Sequence, residues 1–164
     1  MMTTVKSVIE QHGSSAPVNI EQMIRDLGIE LDKEAKLSPE ISGQIEMLEN
    51  DTYKISANGD HHYYRRRFTM AHELAHYILH RDLIGRGLDD NQMYRSTVAG
   101  NFYNPRVQPS HEIEANQLAA DLLVPGKVLR KLWESGERNL EKLAKQFQVS
   151  KSAMEIRLKT LNLK

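Results

Sequence analysis

Apolar positions recur at helical spacing along most of this chain and alternate only in its first third. Ile20, Met23, Ile24 and Leu27 repeat every three or four residues behind Asn19, and Gln22 completes a capping-box pattern with it. Gly28 stands where such a helix stops. A shorter helix is predicted over residues 5–11, ended by Gly13, with a turn over 14–17. Residues 29–31 suggest a short strand, and residues 33–42, containing Pro39, a polar connector. Two strands, 43–49 and 52–57, are predicted to meet at Asn50-Asp51, with Ile45, Tyr53 and Ile55 as apolar positions. Phe68, Ala71, Leu74, Ala75, Ile78 and Leu79 then form an apolar helical stripe, and no Pro or Gly interrupts the run from Phe68 to Leu83. Residues 81–110 have weak periodicity and read as a long loop. Ala115, Leu118, Ala119, Leu122 and Leu123 mark a helix over 111–124, which Pro125-Gly126 breaks. A short helix with Trp133 follows over 128–134. The tail predicts two more, with Asn139 and Ser150 as N-caps and a joint at Gln148-Val149-Ser150.

Composition narrows this picture. A chain of 164 residues suits one domain with a substantial core, and 40% hydrophobic with 27% charged residues is ordinary for a globular protein. Formal net charge is zero, so the chain as a whole carries no electrostatic footprint for nucleic acid or anionic membrane. There is no cysteine. Disulfides and thiolate metal sites are thereby excluded, and any metal must be held by His and carboxylate. The first residues, MMTTVKSVIEQHG, contain no apolar signal segment, and no apolar run approaches membrane-spanning length. A cytoplasmic protein is expected.

Chemistry concentrates in His72-Glu73-Leu74-Ala75-His76, an H-E-x-x-H pattern inside the predicted helix. Residues four apart share a helix face, so the rings of His72 and His76 can converge on one divalent ion. Glu73, offset by one position, can take a proton from the water that such an ion activates. His80 lies on the same face. Three histidines spread over two turns span about 12 Å, too far to share one ion at about 2 Å each, so His80 is expected to support a ligand or face solvent. Leu79 occupies the position where a metzincin extension needs glycine. Without that glycine the helix is expected to continue and carry Asp82 away, leaving the third ligand to a Glu on a separate helix.

Two glutamates compete for that place. Glu112 lies beside the Ala115–Ala119 face, whereas Glu114 falls on the flank with Asp121. Helical geometry favours Glu112, with Asn116 one turn on to orient a histidine. Residues 81–110, lying between the two metal-bearing elements, read as a flap or substrate rim. Tyr94 and Tyr103 within it are candidate oxyanion donors, though surface tyrosines account for them as well. The strand nearest the metal helix would accept an extended peptide if its edge is open; an ordinary hairpin over the core explains the same pattern. The stretch from His61 to Arg67 is read as a solvated loop and helix start.

Three segments in order, RRFTMAHELAHYILH, EIEANQLAADLLVP and LAKQFQVSKSAMEIRL, resemble the ImmA/IrrE family of metallo-endopeptidases, across roughly residues 43–161. The resemblance implies an α+β, zincin-like domain, mostly helical with a short sheet beside the metal helix. Its implied ligands are His72, His76 and Glu112, with Glu73 as general base and zinc, manganese or another divalent ion as cofactor. Asn58 matches the family's strand-end asparagine. Residues 1–164 would form one metallopeptidase domain, with 139–164 a helix-turn-helix-like pair packed on it or extending it. That pair carries Lys142, Lys145, Lys151, Arg157, Lys159 and Lys164 against Glu141 and Glu155, yet lacks the usual turn glycine, so packing or protein docking is favoured over DNA reading. Family members cut helix-turn-helix repressors, so an Xre-like repressor or antitoxin on a separate chain is the expected partner. A regulatory module that binds such a repressor without cutting it, its metal structural, is the alternative.

Overall fold

The computed structural model describes residues 4–84 and 109–163 in full and, between them, residues 94–97 as backbone. Caps set the first two helices. Thr4 and Ser7 cap each other at the start of α1 (Val5–His12), and Asn19 Oδ1 accepts from the Gln22 N–H at the start of α2 (Ile20–Asp26). The Gln22 side chain turns instead to Asp26, so only half of the expected capping box forms. Gly28, at φ 79°, closes α2 in the left-handed region.

The sheet contains β1 (Glu30–Ala35), β2 (Ile41–Met47), β3 (Tyr53–Asn58) and β4 (Tyr94–Thr97), in the order β1-β3-β2-β4. The predicted hairpin is present as β2 and β3, antiparallel, with Ile45 opposite Ile55. One expectation fails here, and one open alternative is decided. The polar connector is partly strand, because β1 runs to Ala35 and pairs in parallel with β3, Leu31 opposite Ile55. Its sequence, ELDKEA, is too polar to announce a strand; backbone pairing with a remote partner makes it one. Nor is β2 an open edge, since β4 pairs along its outer side.

The helix of the H-E-x-x-H pattern, α3 (Tyr63–Leu79), begins a turn earlier than its apolar stripe, with the His62 ring nitrogen capping the Tyr64 N–H. It stops at Leu79 rather than continuing, and Arg81–Leu83 forms a 3₁₀ turn that leaves Asp82 exposed. Met70, Ala71, Leu74 and Ala75 are fully buried, the first three in a core shared with Ile45, Ile55 and Ala57 of the sheet. Gly43 of β2 lets α3 come this close: a Cβ there would collide with the Thr69 methyl and lie 2.7 Å from the Ser56 carbonyl oxygen. Behind α3 packs α4 (Pro109–Leu123), whose buried Ala115 and Ala119 permit near approach of the two backbones.

Three further helices, α5 (Gly126–Glu134), α6 (Leu140–Phe147) and α7 (Lys151–Thr160), complete the chain, capped at Asn139 and Ser150 as predicted. Gln148 takes the left-handed conformation, φ 55°, that the missing turn glycine would have adopted. Two arginines bind this tail to the rest. Arg67, read as solvated in the sequence, is buried and donates to the carbonyl oxygens of Phe147 and Gln148 at 3.3 Å each. Arg157 donates to Val124 O at 3.0 Å and pairs with Asp121 at 2.7 Å. The architecture is α+β and mostly helical. Among the described residues, no helix is long and apolar enough to cross a membrane.

Candidate metal centre

One turn of α3 separates His72 from His76, and their Nε2 atoms stand 3.1 Å apart. The carboxylate of Glu112, from the first turn of α4, closes the group, Oε2 lying 2.8 Å from His72 Nε2 and Oε1 2.8 Å from His76 Nε2. Both rings are buried, and the Glu112 side chain is 13% exposed. Among the described residues this trio is the one group of His, Asp and Glu able to hold a metal ion.

The donor set fits a divalent cation on chemical grounds. Each imidazole has its other nitrogen engaged: His72 Nδ1 lies 2.8 Å from Asn116 Oδ1, and His76 Nδ1 lies 3.1 Å from His80 Nδ1. With Asn116 as acceptor Nδ1 carries a proton, which leaves Nε2, here in contact with Glu112, as the nitrogen that would take a metal in place of a proton. Ligand bonds of about 2.0–2.1 Å in a tetrahedron would put neighbouring donor atoms about 3.3 Å apart. The 3.1 Å between the Nε2 atoms and the two 2.8 Å contacts, one from each Glu112 oxygen, are near that spacing.

Charge within the trio is unevenly shared. Burial pushes the Glu112 carboxyl up, but hydrogen bonds from His72 and His76 overcome this and bring it to about 2. Burial drives His76 down to about 4, against the partial support of Glu112. His72 is also pushed down by burial, yet contacts with Glu112, the charge of Glu73 and the Asn116 bond raise it above its ordinary value. At neutral pH the carboxylate is therefore ionised and His76 neutral, and His72 is the group where a metal competes with a proton.

Glu73 is wholly buried, on the same turn as His72. Glu114 is not in the cluster; its half-exposed side chain lies 3.6 Å from His80 Nε2. His80 is buried beside His76 rather than facing solvent, the first of its two expected places, and its ring centroid lies 4.7 Å from that of His111. Asn58, buried at the end of β3, donates to Ser38 O and Ile41 O, so it fixes the loop into β2. Tyr94 belongs to β4, while Tyr103 lies outside the described residues. The buried clasp of Arg67 escaped sequence reasoning. A spacing signal was there: Arg67, Ala71 and Leu74 share the inward face of α3, so an arginine on that face needs internal acceptors.

A family model described as Peptidase_M78, IrrE N-terminal-like domain, matches residues 24–159. No curated protein matches the chain. A solved structure titled "Mycobacterium tuberculosis transcriptional regulator" has a similar fold, with a TM-score of 0.55 at 14% identity over 94% of this chain. This chain covers 46% of that protein's length, so it corresponds to about half of it.

Proposed function

We propose, from the premise that this chain belongs to the Peptidase_M78 family of IrrE N-terminal-like domains, that it is a zinc-dependent endopeptidase. The observation that carries the reading is the convergence of His72 Nε2, His76 Nε2 and the Glu112 carboxylate, with Glu73 buried on the same helix. A divalent ion held there supplies Lewis acidity toward a peptide carbonyl and lowers the pKa of a water molecule. Asn116 and His80 hold the two rings by their Nδ1 atoms and keep both Nε2 lone pairs aimed inward. Glu73 accepts the water's proton on a carboxylate oxygen and returns it to the leaving amine nitrogen. Zinc is the proposed ion, although a His₂Glu set also accepts manganese and other divalent metals, with availability deciding among them.

A peptidase family implies a protein substrate. The substrate proposed is a helix-turn-helix repressor or antitoxin of Xre-like type, met in the cytoplasm. The family resemblance supports this.

The test is a pair of variants. Glu73→Gln is expected to bind zinc at one ion per chain, by elemental analysis, while its cleavage of a helix-turn-helix repressor falls by at least about 10²-fold, the range general-base catalysis contributes. His72→Ala is expected to lose both metal and cleavage. Wild-type rates in Glu73→Gln would remove the mechanism. An intact repressor held in a stable complex, with or without chelator, would favour a non-hydrolytic binding module.

A further inference from the structure

A groove of about 780 Å³ runs beside the candidate metal centre, between α3, α4 and the start of α7. Helical spacing puts it there. Phe68 and Tyr64 precede His72 by one and two turns on its own face of α3, and Asn116 and Ala120 follow Glu112 in the same way on α4. His76 meets Glu112 while His72 meets Asn116, so the two helices run antiparallel and both rows leave the cluster in one direction. Ala153 and Ile156 of α7 form the facing wall, which the Arg157–Asp121 pair anchors to α4. At its inner end the groove reaches the residues that adjoin the site: Asn116 holds His72 Nδ1, and the Phe68 ring centroid lies 6.4 Å from that of His72.

Chemistry and distance select the occupant. Carbon surface dominates the lining, and Ile156 on the outer wall is 65% exposed. No lining side chain is acidic, while His62 and Arg65 stand at the outer end. That pair is too sparse a set of cations to track a nucleic-acid backbone. The size and apolar character are those of a site for organic side chains. One to two helical turns, about 5–11 Å, separate the lining from the ligand positions. Extended peptide covers that distance in about two to three residues at about 3.3 Å each.

We infer that this groove receives a large apolar side chain of the substrate polypeptide, within three residues of the bond that is cut, and that the C-terminal helical pair forms part of the substrate-binding wall. The inference rests on the peptidase reading above.

Two measurements on the full chain separate them. The Glu73→Gln protein, labelled at alanine and isoleucine methyls, is titrated with blocked tripeptides Ac-Ala-Xaa-Ala-NH₂ carrying Phe, Leu or Lys at the centre. Expected are saturable shifts of the Ala120, Ala153 and Ile156 methyls with Phe and Leu, none with Lys, and at least about tenfold weaker binding after Ile156→Asp. Shifts that are absent, lie elsewhere or are equal for Lys would overturn the inference. So would shifts that follow protein concentration without peptide, which would give the groove to a second copy. Wild-type protein is then given a mixed peptide library, where cuts should cluster within three residues of an apolar side chain and Ala153→Trp should move them toward small residues. Methyl shifts with an uncut library would keep the groove and remove the peptidase reading. Cuts without apolar bias and without methyl shifts would do the reverse.

Discussion

Asn116 is an exposed side chain that holds a buried ring. Its Oδ1 fixes the Nδ1 proton of His72 and leaves Nε2 to face Glu112. Partners of this kind are worth about 10–100-fold in metal affinity. Asn116→Ala is therefore expected to weaken zinc binding by that factor in competition with a chromophoric chelator, while far-UV circular dichroism stays unchanged. Wild-type affinity would show that the bond contributes nothing to ring orientation. At this scale much was legible in the sequence. The H-E-x-x-H pentad puts two rings on one face through backbone geometry alone, and the Ala115–Ala119 stripe favours Glu112 over Glu114 for the same reason. His80 could be denied a ligand's role by distance, but its contact with His76 Nδ1 needed coordinates. Arg67 was misread because a triplet of arginines looks solvated wherever the inward face of the helix is not first defined.

Among the elements, α3 packs on β2 at Gly43, where a Cβ would meet Thr69, three residues before His72. Gly43→Ala forces a methyl into a filled space, and overpacking of this kind costs about 1–3 kcal/mol. A matching loss in urea denaturation is the expected outcome; an unchanged midpoint would mean that the sheet yields freely under the helix. The helices were well predicted because their caps and stripes are local: Asn19, Asn139 and Ser150 each accept a backbone N–H three residues on. The strands were harder. β2 and β3 could be found from their turn, but β1 exists through a parallel partner more than twenty residues away, and the cover of β2 by β4 comes from still farther along the chain. The stop of α3 at Leu79 was also missed, since no glycine or proline marks it.

For the molecule as a whole, the question is what binds the C-terminal pair to the half that carries the His72, His76 and Glu112 cluster. Arg67 reaches across to α6 and Arg157 to the end of α4. Replacing Arg67 by Met removes two charge-assisted hydrogen bonds and strands the carbonyls they satisfied, a loss of about 3 kcal/mol in urea unfolding. Unchanged stability would show that these carbonyls find water. The sequence alone determined everything that depends on neighbours within a turn or two: which segments are helical, how they are capped, which face is apolar, and that His72, Glu73 and His76 share one site. Backbone geometry repeats every few residues, so such relations can be read directly. Only the tertiary structure decided the order of the strands, the burial of Arg67 and the groove walled by α7. Each of these joins surfaces far apart in the chain, and their meeting is set by the packing of the whole core rather than by any local pattern.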